Sequence, residues 1–256
     1  DPATHTRCTL GGMMGNNSCG IHSLLAKNYG LGLRTSDNTH ELEILTYDGL
    51  RMRVGATPPE ELERIIAAGG RRGEIYAALK KLVDTYADEI RARYPKIPRR
   101  VSGYNLDDLL PENGFNVARA LVGSESTLVT ILESTMILVP NPVTRTLLVL
   151  GYSDIYEACN HLEEILEHQP TGLEGVDKKL FTVVREKGDE NADLALFPPG
   201  EGWLLVEFGG DSKADSDGKA RKLMERLKKE KDAPSMKLFD NPREEQMIWK
   251  VREGSL

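Results

Sequence analysis

The sequence predicts an α+β protein in two parts, and three observations carry that expectation. An apolar alternation on either side of Asp48-Gly49 predicts a β-hairpin. A stretch from about Arg72 to Arg93 has the three- and four-residue spacing of an amphipathic helix, and from Arg145 onward strand-like and helix-like segments alternate. At 256 residues the chain can bury one large core or two modest ones without disulfides or a structural metal.

The elements follow in order. Residues 8–20, CTLGGMMGNNSCG, combine four glycines and two asparagines with no helical or strand period, which predicts a loop whose backbone approaches something closely. In the hairpin Glu41–Val54, Leu42 and Ile44 face Met52 and Val54 across a pair suited to a type I′ turn. Thr57-Pro58-Pro59-Glu60 predicts a helix capped by Thr57 and running toward Gly69-Gly70. The next helix presents Ile75, Leu79, Leu82, Tyr86 and Ile90 and stops before Pro95. Leu121–Pro140 predicts a strand with Thr130, Leu132, Ser134, Met136 and Leu138 on one face. Asn141-Pro142 sets a domain boundary, giving domains 1–141 and 142–256.

Beyond that boundary the expected order is strand Arg145–Tyr152, helix Asp154–His168, an edge strand Thr171–Val176, strand Gly202–Gly209, helix Lys213–Lys229, strand Ser235–Phe239 and helix Pro242–Arg252. This is a βαββαβ-like arrangement, read as a sheet covered on one face by helices.

Composition excludes several classes. A net charge of −7 with interspersed acids and bases leaves no basic stripe to track a nucleic-acid backbone. The most apolar stretch, Val129–Tyr152, is interrupted by Glu133, Pro140, Asn141, Pro142 and Arg145, so no membrane span is expected. Three cysteines, Cys8, Cys19 and Cys159, fit reduced thiols in a cytoplasmic protein better than a disulfide framework. Asp1-Pro2 and Gly254-Ser255-Leu256 look like cuts through a longer polypeptide.

The glycine-asparagine loop is the richest chemical signal. Successive N–H groups without Cβ obstruction can cradle a pyrophosphate or the polar edge of a flavin, although an ordinary tight loop has the same composition. It lacks the Gly-Lys-Ser/Thr ending of a phosphate-binding Walker loop and the spacing of a Rossmann turn.

The block DPATHTRCTLGGMMGNNSCGIHSLLAKNYG, followed by Asp37-Asn38 and ELEILTYDG, resembles the FAD-binding domain of the vanillyl-alcohol-oxidase superfamily, in its D-lactate, glycolate and D-2-hydroxyglutarate dehydrogenase branch. A second block, SGYNLDDLL with ARALVGSESTLVTILESTMILVP, resembles the family's Gly-Ser-Glu-Gly-Thr-Leu-Gly stretch. Gly123, Ser124, Glu125 and Thr127 match it, while Ser126 and Val129 stand where the family has glycine. A third, DNPREEQMIWKVREG, resembles the family's Trp-x-x-Arg-Glu helix, and Arg252 matches its arginine. Residues 57–98 form a helical insertion that the pattern does not require.

The resemblance implies the second subdomain of a vanillyl-alcohol-oxidase-type FAD-binding domain, plus part of a ferredoxin-like α+β cap domain. It implies FAD contacts at Gly11, Gly12, Gly15, Asn16, Asn17, Ser18, Gly20, His22, Gly123 and Glu125, and a substrate carboxylate at Arg252. The implied reaction oxidises a D-2-hydroxy acid of the D-lactate or D-2-hydroxyglutarate type to its keto acid, with hydride passing to FAD and then to an unspecified electron acceptor. The long form with the helices of residues 57–98 and the segment FGGDSKADSDGKA resembles large bacterial FAD and iron-sulphur oxidoreductases, whose cluster-binding half is not visible here. The family's general base and metal-ligating histidines are expected past Leu256, and its first FAD subdomain before Asp1. The polypeptide alone is therefore expected to bind FAD poorly and to be inactive.

Rival readings are weaker. His5, Cys8, Cys19 and His22 form H-x2-C and C-x2-H pairs, but the glycine loop lies between them and no finger framework accompanies them. Asn16-Asn17-Ser18 is a glycosylation sequon that a cytoplasmic chain would never use. His161 and His168 are read as surface residues with no acid or cysteine to complete a metal set, and Ser124 in GSES lacks the nucleophile-elbow pattern. A non-catalytic interaction module, with a merely structural glycine loop, is the alternative from another class.

Overall fold

The computed structural model describes residues 7–186, 194–239 and 241–253. The chain divides into two units, Asp1–Gly20 with Leu31–Leu138 and Ile21–Gly30 with Val139–Leu256. His5 and the terminal Gly254-Ser255-Leu256 lie outside the described residues.

The first unit contains α1 (Leu10–Gly15), and the excursion into the second unit contains α2 (Ser23–Asn28). Then follow β1 (Thr39–Leu45), β2 (Arg51–Gly55), α3 (Pro59–Ala68), α4 (Gly70–Arg93), α5 (Val117–Leu121) and β3 (Thr130–Met136), all of the first unit. The strands form an antiparallel sheet in the order β2-β1-β3, with Leu42 opposite Val54 and Ile44 opposite Met52. The period of two explains both faces. Leu42, Ile44, Met52 and Val54 enter a core with Leu62, Ile65, Tyr76, Val83 and Ile90 from α3 and α4. On the other face Arg53 pairs with Glu41, Glu43 and Glu133 at 2.9–3.1 Å, and Arg51 pairs with Glu43.

Local expectations are corrected here. Residues 10–15 are a short helix, because Thr9 Oγ1 accepts the Gly12 N–H at 3.1 Å and caps a first turn. The hairpin turn is not type I′: among its central residues only Gly49 has a positive φ, and the Thr46 N–H closes a wider loop onto Leu50 O at 3.0 Å. Pro58 occupies the N-cap of α3, because the Leu62 N–H bonds to its carbonyl, and Thr57 Oγ1 turns back to Gly55 O instead. On α4 the fully buried stripe is Gly73, Tyr76, Val83 and Ile90, while Tyr86 is exposed. The long strand expected from Leu121 is only β3, since Leu121 lies in α5; Leu132 and Leu138 are exposed, and Ile131 and Met136 face the core.

The second unit adds β4 (Thr144–Tyr152), α6 (Ile155–Asn160), α7 (Leu162–Glu167), β5 (Gly172–Asp177), α8 (Lys178–Glu186), β6 (Gly202–Gly210), α9 (Lys213–Leu227), β7 (Ser235–Phe239) and α10 (Pro242–Glu253). Its antiparallel sheet has the order β5-β6-β4-β7, which is ferredoxin-like connectivity with α8 inserted between its second and third strands. β4 and β6 are the central strands and apolar on both sides, so helices cover both faces, not one. Leu148, Leu150, Leu204, Val206 and Phe208 pack with α6, α7 and α9. Leu147, Val149, Trp203 and Leu205 pack with Phe181, Ile248 and Val251 of α8 and α10. The helix expected over 154–168 breaks at His161, which closes α6, opens α7 and has a ψ of 2°.

Candidate functional site

In the first unit the fold joins two distant sequence blocks. The chain after α1 reverses at Asn17, which is fully buried with a φ of 50°, a conformation asparagine tolerates better than most residues. Asn17 Oδ1 accepts the Ser36 N–H at 2.9 Å, and Ser18 O accepts both the N–H and the hydroxyl of Thr35. The Gly123 N–H then donates to Met14 O at 2.8 Å, and the Glu125 N–H to Gly15 O at 3.2 Å. Gly123 has a φ of +87°, and a Cβ there would stand 3.0 Å from Asn17 Cβ. Only glycine meets both demands.

The predicted contacts Gly11, Gly12, Gly15, Asn16, Asn17, Ser18, Gly20, Gly123 and Glu125 thus belong to one unit. Gly11, Gly12, Asn16 and Glu125 are exposed, and nothing within 4 Å obstructs a Cβ built on Gly11. Asn17 Nδ2 and Ser36 Oγ are enclosed beneath this surface without hydrogen-bond partners. Glu125 and Ser126 both take positive φ, so Ser126 adopts the left-handed backbone that a glycine would adopt freely.

His22 belongs to the second unit. Its Nε2 lies 3.3 Å from both Glu207 carboxylate oxygens, and its ring centroid stands 5.9 Å from that of Trp249. Glu207 is 4 % exposed on β6, where Thr171 Oγ1 donates to it at 3.2 Å. Arg145 Nε lies 3.1 Å away, an ion pair by distance whose N–H is not directed at the oxygen. On the α10 side of this sheet, apolar positions give way along each strand to charged ones: Val149 and Leu147 to Arg145, Trp203 and Leu205 to Glu207, Val176 to Glu174.

Helix α10 completes this polar end. Glu245, Trp249 and Arg252 recur at four- and three-residue spacing on one side of it. Arg252 Nε pairs with Glu174 Oε1 at 3.2 Å, both side chains about four-fifths buried. Burial raises the Glu245 carboxyl above its ordinary value despite Lys213 at 3.6 Å. Arg145, Glu174, Glu207 and Glu245 escaped the sequence reading, though a glutamate inside Trp-Leu-Leu-Val-Glu-Phe was a usable signal. A buried carboxylate in a central strand is costly unless cations surround it.

Residues 141–256 match the family described as FAD linked oxidases, C-terminal domain. The chain is similar to D-2-hydroxyglutarate dehydrogenase of Pseudomonas putida, 29 % identical over 231 residues that cover 88 % of this chain and 22 % of that protein. It is also similar to D-2-hydroxyglutarate dehydrogenase of Pantoea ananatis, 27 % identical over 88 % of this chain and 22 % of the relative. The chain therefore spans about a fifth of the length of these relatives. A solved structure of alkyldihydroxyacetonephosphate synthase superposes with a TM-score of 0.53 at 17 % identity, covering all of this chain and 37 % of that one, a likeness of fold.

Proposed function

We propose that this chain belongs to the FAD-linked oxidase family, in its D-2-hydroxyacid dehydrogenase branch, and that the complete protein oxidises a D-2-hydroxy acid to the corresponding keto acid. D-2-hydroxyglutarate heads the substrates to be tried, ahead of D-lactate, because it appears in the relatives' names. The observation that carries the reading is the charged end of the second unit's sheet, which gathers Arg252, Glu174, Arg145, Glu207 and His22 within and beside the matched segment.

FAD would supply the redox chemistry. The first unit's residues fit such a group. Gly11 leaves backbone uncovered, and the Leu10 and Gly11 N–H groups in the first turn of α1 have no acceptor within the helix, while the Gly12 N–H is taken by Thr9 Oγ1. In this proposal residues 1–141 are the later part of the FAD-binding domain and 142–256 the start of the substrate domain. Arg252 would hold the substrate C1 carboxylate through charge-assisted hydrogen bonds, and Glu174 would fix the guanidinium's orientation.

Turnover by the complete protein with an artificial electron acceptor tests this. Wild type is expected to oxidise D-2-hydroxyglutarate or D-lactate. Arg252→Lys should lower kcat/KM at least tenfold, because an ammonium loses the planar fork. Turnover of neither acid, or equal kcat/KM in the variant, would refute the assignment.

A further inference from the structure

A second polar cluster of the ferredoxin-like unit lies on the sheet face opposite α10, and the reaction above does not use it. We propose that His161, Glu164 and Glu230 form a binding site for one divalent transition-metal cation of the zinc class. His161 stands at the break between α6 and α7 with its side chain 17 % exposed. Its Nδ1 faces Glu164 Oε1 at 2.5 Å and Glu230 Oε2 at 3.5 Å. One ligand atom from each of the three residues lies within 4.8 Å of the other two.

The surroundings fit a cation. Arg226 engages the outer carboxylate oxygens, Glu230 Oε1 at 2.8 Å and Glu164 Oε2 at 3.4 Å, which leaves the inner pair aimed at His161. Glu157 stands 3.6 Å from His161 Nε2, the place of the carboxylate that commonly orients a metal-bound histidine. Three carboxylates against one guanidinium leave negative charge that a divalent cation would cancel.

An independent observation comes from β4. Tyr152 is 4 % exposed and stacks on His161, with centroids 5.0 Å apart and planes at 26°. Its hydroxyl is enclosed and has no hydrogen-bond partner. A water carried by the cation would supply the missing acceptor. One imidazole nitrogen with two carboxylate oxygens suits zinc or manganese, whereas magnesium prefers all-oxygen sites.

The test strips the complete protein with a chelator and titrates it with zinc, manganese or magnesium chloride, reading bound metal per chain and the thermal midpoint. Wild type should hold one more zinc per chain than Glu230→Gln, and its Tm should rise by several degrees on zinc addition. Glu164→Gln should lose at least tenfold in zinc affinity. Without metal, Glu230→Gln should melt close to wild type, since glutamine keeps the side chain's shape and removes one of three neighbouring carboxylate charges. If either glutamine variant fails to fold, Tyr152→Phe decides, because it removes a single unpartnered oxygen and should weaken zinc severalfold. Equal zinc stoichiometry and affinity in wild type and Glu230→Gln, binding of magnesium alone, or unchanged zinc affinity in Tyr152→Phe would reduce the cluster to a structural ion network and overturn the proposal.

Discussion

Asp108 shows how a single buried charge sets a pH dependence. It is 6 % exposed, its Oδ2 has no hydrogen-bond partner, and burial with neighbouring Asp107 raises its pKa from 3.8 to about 6. A carboxyl whose folded-state pKa is raised favours the folded state when protonated. That contribution is complete below 3.8 and is lost as pH rises through about 6. Asp108→Asn should therefore stabilise the protein near neutral pH by up to about 3 kcal/mol, from two pKa units at about 1.4 kcal/mol each. Urea midpoints at neutral pH and at roughly pH 4 check it. The gain should vanish at the acid pH, and an equal gain at both would show that the carboxylate is not the cause. Glu207 is a buried carboxylate of another kind, with the Arg145 guanidinium and the His22 ring beside it. Glu207→Gln should cost about 3 kcal/mol, because it leaves Arg145 without its counter-charge and disturbs the contacts to His22 and Thr171. A loss under about 0.5 kcal/mol, the size of an exposed pair, would show that Arg145 screens it from solvent poorly.

Between elements, the meeting of α1 with the loop after α5 is the contact most exposed to a single change. Gly123→Ala adds a Cβ 3.0 Å from Asn17 Cβ at a positive φ, so a loss of about 1–3 kcal/mol is expected. Gly11→Ala meets open space and should cost under about 1 kcal/mol. Similar losses in the two variants, read from the same unfolding curves, would mean that the two blocks do not touch as described. Such contacts separate what the sequence revealed from what it hid. The sequence pattern placed β4, β5, β6, β7 and α10 within a residue or two, because apolar runs in the central strands β4 and β6 and short apolar segments flanking helices stand out from their surroundings. It failed at α1, whose six residues are held by one cap and not by an apolar stripe. It also misjudged the helix through His161, which stands at the break between α6 and α7 and stacks on Tyr152. Arg252 was found by resemblance, but its partner Glu174 was not, since nothing local in β5 distinguishes a buried ion pair from a solvent-facing acid. The acids around His161 come from α6, α7 and the segment after α9, so only the fold could assemble them.

For the whole molecule, residues 141–256 match the C-terminal domain of FAD linked oxidases, and the chain covers 22 % of the length of the Pseudomonas putida relative, so the proposed oxidation is a property of the complete protein. Among the described residues no helix is long and apolar enough to cross a membrane. Iron-sulphur clusters remain an expectation drawn from resemblance and play no part in the proposed chemistry of this chain. Flavin occupancy of the complete protein, by absorbance after purification and desalting, probes the reading at its root. Wild type should carry close to one FAD per chain, and Gly11→Val, which walls off the uncovered backbone while sparing the fold, should lose most of it. A colourless wild-type protein that takes up no added FAD, or a Gly11→Val variant as fully loaded as wild type, would mean that this loop is not the flavin's resting place.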